Sequence, residues 1–343
     1  MALGGGTWTV QNKTLPGAYI NFVNTSTVGS AIGERGIVAI ALPLGKAAGT
    51  VIELESSAFV KDSVALTGKE YDSAELLPLR EIFRNATKVY VYDMPTDGEV
   101  ADAVKALEPY EFNVLCAYTA TEEDITAYVE QVKAWREDYG KKCQVVVYNT
   151  AADHEGVINV ASTVTGADAH ALVAWVAGAE AGCEINKSCT NKVYDGELTV
   201  VTDKTQAELT ECIEKGELVL HLSYGKVCVL EDVNSLTTVT ADKGEDFKFN
   251  QTIRVIDQIA NDIAKLFNTK YLGHIPNNAS GRISLWSDIV SHHRELEALQ
   301  AIEQFDSSLL TVEQGNTKRS VVVKDAVTVV NTMSILYMTV EIN

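Results

Sequence analysis

The chain has no uninterrupted apolar run approaching about 18 residues, and residues 1–10 carry neither a basic n-region nor an apolar h-region. The expectation is therefore neither a membrane-spanning helix nor a secretory leader, but a protein made in the cytoplasm that stays there unless lysis releases it. Basic residues are also scarce: 28 Lys and Arg stand against 47 Asp and Glu, a net charge of −19. Such a surface repels phosphate backbones, so nucleic acid is not expected as a direct partner. Any assembly has to overcome the same self-repulsion locally.

Cysteine is thin. Cys116, Cys143, Cys183, Cys189, Cys212 and Cys228 are scattered and form no dense framework of the secreted kind, so reduced thiols are expected. Cys183 and Cys189 lie six apart in a polar loop but supply only two of the four ligands that structural zinc takes.

Catalytic signatures are missing as well. No GxxxxGK[ST] occurs, and Gly29, Gly33 and Gly36 are spaced GxxxGxxG, which fits no phosphate-binding loop. GxSxG, HExxH and paired CxxC are absent. Asp153-His154-Glu155 reads as a solvated loop, because consecutive residues rarely converge on one substrate atom. His292 and His293 are adjacent on a helix and point about 100° apart, an awkward pair for one ion, and His293 reads as a packing residue. No catalytic, cofactor-binding or metal-binding residue is singled out.

What is present is ordinary globular material: 46% apolar and 22% charged residues over 343 positions, enough for roughly two domains. Residues 36–44 (GIVAIALPL) and 88–94 (KVYVYDM) read as buried strands. A helix carrying Val100, Ala101, Val104 and Leu107 leads to a strand over 112–118. A Thr121/Asp124 capping-box spacing opens a second helix, with Ile125, Tyr128, Val129, Val132, Trp135 and Tyr139 on one stripe, and QVVVY follows at 144–148. This alternation predicts right-handed crossovers and a parallel sheet, hence the α/β class.

An Ala-rich helix over 167–182, a hairpin turning at Tyr224-Gly225 and two amphipathic helices complete the interior. One helix carries Ile253 to Phe267, the other Trp286 to Leu299. At the ends lie a Gly-rich arm with a strand-like run over 18–23, and two β-branched runs, SVVVKDAVTVVN and MSILYMTVEIN. Extended at about 3.3 Å per residue, an arm of about twenty residues reaches on the order of 65 Å, far enough to touch a neighbour. A terminal strand must pair with its own sheet or with another chain. The predicted division is an N-terminal arm (1–25), an outer α/β region (26–185), an α+β region with two long helices (186–318), and C-terminal strands and arm (319–343).

MALGGGTWTVQNKTLPGAYINFVN, GERGIVAIAL, FNQTIRVIDQIANDIAKLF with YLGHIPNN behind it, and NTMSILYMTVEIN together resemble the tail sheath proteins of contractile phages and defective phage-like particles. The resemblance implies a mixed α/β, multi-domain subunit without catalysis or cofactor. It would form six-fold rings stacked helically around a tail tube and would contract to drive that tube through a cell envelope. Implied partners are other copies of the chain, the tube protein, the baseplate and the tail terminator. Implied locations are the host cytoplasm during assembly and then the virion tail or a released particle. The arms would add strands to neighbouring subunits, making Tyr19, Ile20, Phe22, Val23, Ile335, Tyr337, Thr339, Val340 and Ile342 the interface residues. Helices around 250–304 would lie nearer the tube. Two other readings remain open at this stage: an α/β enzyme binding a nucleotide or flavin, and another self-assembling tail, baseplate or shell component.

Overall fold

The apolar run IVAIAL becomes an interior strand of a seven-stranded sheet, with a parallel neighbour on each side. The computed structural model describes residues 32–342. In it, β1 (Ile37–Leu42) lies between β3 (Lys88–Asp93) and β4 (Val114–Cys116). Outward on one side, β2 (Val51–Glu55) pairs antiparallel with β3. On the other side β5 (Gln144–Tyr148), β6 (Val157–Val160) and the short strand Glu217–Leu218 continue in parallel. The predicted strands at 88 and 114 are thus not neighbours, since β1 lies between them.

Period-2 alternation divides the strand side chains between two cores. Val38, Ile40, Val89, Val91, Val146 and Ile158 face one layer, which contains α3 (Leu77–Ile82) and α6 (Leu172–Gly182). Ala39, Leu115, Val145 and Val147 face the other, which contains α4 (Val100–Leu107) and α5 (Glu122–Ala134). Two short helices, α1 (Ser56–Lys61) and α2 (Ser63–Thr67), precede α3. The α6 helix begins later than its Ala-rich composition suggested and is buried from Leu172 to Ala181. It crosses α3 so closely that a Cβ on Gly178 would overlap the carbonyl oxygen of Ile82. Small residues on this helix are what let the two backbones approach.

The predicted cap on α5 is not made: Thr121 contributes no side-chain hydrogen bond, and Asp124 instead accepts from Thr119 Oγ1 at 3.3 Å. A full capping box does open α7 (Gln206–Glu214), where Thr205 and Glu208 satisfy each other's backbone. The hairpin forms from Leu220–Ser223 and Lys226–Val229, with Tyr224 and Gly225 at φ 46° and 79°, the primed geometry that matches strand twist.

In the C-terminal part, α8 (Asn250–Leu266) and α9 (Ala279–Ala298) bury Val255, Leu266, Leu285, Ile289 and Leu296 in two small cores. Two short antiparallel pairs follow, Thr311–Gln314 with Val321–Lys324 and Ile302–Glu303 with Thr328–Val329. Within this chain, residues 330–342 adopt no regular element, although their β-branched pattern predicted a strand. A strand exists only where a partner backbone completes the ladder, and among the described residues none lies alongside this one.

Candidate assembly site and its buried anchors

Beyond Val330 the chain turns hydrophobic and outward at once. Ile335, Tyr337, Val340 and Ile342 are 69%, 90%, 67% and 93% exposed, and Thr339 is exposed too. Met333, Leu336 and Met338 add to this apolar surface. Such a run in water carries a hydrophobic cost until something covers it. Tyr19, Ile20, Phe22 and Val23, the other predicted interface residues, lie outside the described residues.

The root of the C-terminal segment is held firmly. Gln251, on the first turn of α8 and 3% exposed, donates to Val330 O at 3.0 Å and accepts from Thr332 N at 3.0 Å. Thr252 Oγ1 bonds the Asn331 amide oxygen at 3.2 Å.

A second anchor runs through the histidine pair. His292 and His293 are both fully buried, and their Nδ1 atoms lie 3.1 Å apart. His292 Nε2 meets Asp262 Oδ2 at 3.0 Å, and His293 Nε2 meets Asp325 Oδ2 at 2.6 Å. Asp262 also accepts from Gly33 N at 3.1 Å, and a Cβ on Gly33 would overlap that carboxylate. A chain of side chains therefore joins Gly33 to Asp325 near the C-terminal root. Sequence spacing suggested divergence of the two rings, but their Nδ1 atoms meet.

The α/β layer is joined to α8 by buried ion pairs. Arg136 pairs bidentately with Asp257 at 2.5 and 2.8 Å. Deeper, Arg254 Nη2 donates to Glu180 at 2.6 Å and Asp232 at 3.3 Å, and its Nη1 donates to Lys187 O at 2.6 Å. Glu180, Cys189 and Asp232 place their donor atoms within 4.8 Å of one another, a spacing suited to a cation, and the guanidinium of Arg254 fills that role. Burial, reinforced by the Asp232 charge, raises Glu180 well above the carboxylate range. Burial acts the same way on Asp232, but Arg254, a proton from Glu180, the Cys189 N–H and Asn250 outweigh it and leave Asp232 below its ordinary value. Of the pair, Glu180 is the carboxyl that burial pushes toward its neutral form.

Asp153-His154-Glu155 is not a solvated loop. His154 and Glu155 are buried at 6% and 7% exposure, Glu155 pairs with Lys243 at 2.8 Å, and Asp153 caps Thr237 N and Thr238 N at 2.7 and 2.9 Å. Asp153 and Glu155 pin the 237–243 loop, whereas His154 Nε2 faces Glu137 at 3.2 Å and its Nδ1 accepts from Gly156 N at 2.9 Å, so the three side chains are taken up by structural partners.

The carboxyl ends of the strands, where open α/β sheets take their ligands, bear on the nucleotide alternative. The backbone N–H groups of Gly45, Lys46 and Ala47 converge there at the end of β1, the arrangement that cradles a phosphate. The Asp93 carboxylate occupies this nest, accepting at 2.8, 2.7 and 2.6 Å, and is fully buried. An incoming phosphate would have to displace a fixed negative charge.

With this geometry in hand, comparison with known proteins is specific. Residues 94–235 match the family described as the phage tail sheath protein central domain, and residues 242–343 match the phage tail sheath C-terminal domain. The tail sheath protein of Clostridium phage phiCD119 is 32% identical over 63% of this chain and 62% of its own length. The chain spans between 56% and 62% of the length of the curated relatives it matches. Among solved structures, the sheath tail protein of Desulfitobacterium hafniense superposes with a TM-score of 0.74 at 26% identity, over 87% of this chain and 93% of that one. The anti-feeding prophage helical sheath in its contracted state shares the fold, with a TM-score of 0.72 at 17% identity over 96% of this chain and 99% of that one. The two domain matches together take in most of the sequence, and the chain belongs to the phage tail sheath protein family.

Proposed function

We propose that this chain is the structural subunit of a contractile tail sheath. It polymerises as stacked six-fold rings around a tail tube and contracts to drive the tube through a cell envelope. The observation that carries this reading is the segment 330–342, apolar, exposed and tied down at its root by Gln251. An unpartnered strand-forming segment on a rooted tether is what strand addition to a neighbour requires.

In this reading Ile335, Tyr337, Thr339, Val340 and Ile342 pair with a neighbouring subunit, and Tyr19, Ile20, Phe22 and Val23 do so from the other end. Backbone ladders of this kind survive a change in subunit packing, so the arms keep the lattice connected while the bodies rotate. The α+β region with α8 and α9 faces the tube, and the α/β region lies outside. Baseplate and tail terminator close the two ends of the polymer. Assembly takes place in the bacterial cytoplasm, and the finished object is a virion tail or a released particle. The role is mechanical, without catalysis or cofactor; the Asp93 carboxylate in the phosphate-type nest supports that reading over the nucleotide enzyme.

Negative-stain electron microscopy of the purified chain at rising concentration and salt tests it, since salt screens the self-repulsion of a −19 chain. Tubes with six-fold end views are expected. A strictly monomeric species that binds a nucleotide would overturn the reading.

A further inference from the structure

One corner of this acidic chain carries no acid. Neither Asp nor Glu occurs between Asp262 and Asp288, or between Glu313 and Asp325, and the fold brings these two stretches together. They line a groove of about 280 Å³ where α8 ends, α9 begins and the strand Val321–Lys324 starts. Its apolar lining includes Phe267, Leu285 and Val321, and its basic side chains are Arg282, Lys318 and Arg319. Leu285 is buried whereas Lys318 and Arg319 are exposed, so the charges stand outside the apolar lining. Arg282 is aimed by Asn277, whose backbone and side-chain oxygens accept from it at 3.3 and 2.9 Å. The flanking acid Asp288 is already engaged by Lys270 at 2.6 Å.

We propose that this groove receives the C-terminal segment of a second copy of the chain, with Glu341 against the Arg282, Lys318 and Arg319 side chains and Tyr337 over the apolar lining. The inference rests on the strand-addition reading and names the surface that takes the added segment.

Charge selects this occupant. A net charge of −19 keeps copies apart, and a basic groove is where another copy can approach. Of the two terminal segments, the first 33 residues contain no acid, whereas 326–343 contain one charged residue, Glu341. In an extended strand Tyr337, Thr339 and Glu341 share a face, so an aromatic ring and a carboxylate are presented together. The chain's own segment does not enter the groove, since Tyr337 and Ile342 stay exposed. The volume lies below the range of about 300–1,000 Å³ usual for small-molecule sites and suits side chains of a docked segment. Groove and segment are different surfaces, so the contact is head-to-tail and propagates into a ring or an open polymer instead of closing a dimer.

The probe is a fluorescein-labelled peptide of residues 333–343, titrated with the full-length chain and followed by anisotropy. Lys318→Glu with Arg319→Glu in the chain should weaken binding about tenfold or more, and so should Glu341→Lys in the peptide. The reversed peptide should regain affinity for the reversed chain. Both chain positions are exposed, so folding is not at stake. In an equal mixture of light and heavy-nitrogen chains, a carbodiimide should join Lys318 of one isotope to Glu341 of the other. Equal binding of a scrambled peptide, no recovery by the reversed pair, or cross-links confined to chains of one isotope would each overturn the proposal. Tubes that form normally from the Lys318→Glu, Arg319→Glu chain would sink the groove and leave the sheath reading standing. Peptide recovery in a chain that never forms tubes would do the reverse.

Discussion

His292 and His293 meet Nδ1 to Nδ1 at 3.1 Å while each Nε2 faces its own aspartate. A hydrogen bond between two such nitrogens needs one proton, and each Nε2 needs one to donate to its carboxylate. Every ring nitrogen of the pair thus has a polar partner. Removing one ring leaves a buried nitrogen and one carboxylate oxygen without its partner, at about 1–3 kcal/mol, with a cavity cost added. His292→Ala and His293→Ala should each lower the urea midpoint, and the double variant should cost clearly less than the sum. Simple additivity in denaturation experiments would disprove the coupling.

Arg254 is the only described side chain that bridges Glu180 and Asp232, both nearly inaccessible. Arg254→Met leaves Asp232 charged and uncompensated, which should cost about 3–5 kcal/mol. Equilibrium unfolding measures it; a loss below about 1 kcal/mol would mean water reaches the triad.

Glu180 sets the sign of one pH effect. Its folded-state value lies well above the ordinary 4.5, so between the two the native protein holds a proton that the unfolded chain has released. That contribution is complete below 4.5 and is lost as pH rises through the folded value. Glu180→Gln keeps a neutral donor without the titration, so urea melts at stepped pH should show a flatter decline toward neutrality. An unchanged slope would place the titration elsewhere.

Gly178 allows α6 to cross α3 with no space for a side chain. Gly178→Val should cost about 3 kcal/mol or more, because backbone on both helices must move. A thermal melt within a degree or two of the parent would contradict the close crossing.

The terminal segment should separate folding from assembly. Truncation after Thr332 keeps the Gln251 anchor and leaves far-UV circular dichroism and the melt essentially unchanged, yet should abolish tubes in electron micrographs. Deleting residues 1–23 should act alike, and Tyr337→Pro should weaken assembly by removing one ladder donor. Normal sheaths from these variants would refute the arm reading.

Long periodic segments were legible. β1, β3 and β5, the helices α4, α5, α8 and α9, and the Tyr224-Gly225 hairpin are where their apolar spacing places them. Short elements were not: β6 is only four residues, VINV, and β2 alternates weakly in VIELE. Thr205 and Glu208 share the Thr-x-x-acid spacing of Thr121 and Asp124, yet only the former pair makes the box, so spacing alone does not distinguish them. His154 and Glu155 looked exposed because what buries them comes from residues 235–243, far along the chain. The Arg254 triad and the Asp93 nest escape sequence reading for the same reason, since their members are brought together only by the sheet and α8.

The side-chain connection from Gly33 through Asp262, His292 and His293 to Asp325 has a mechanical consequence. If one neighbour pulls on the chain before Gly33 and another on the chain after Asp325, these contacts lie in series along the pull. Tension then passes across the subunit through hydrogen bonds between α8 and α9 and bypasses the α/β layer. A narrow tendon through α8 and α9 thus takes the stress, with the α/β layer held to its side by Arg136–Asp257 and Arg254–Glu180.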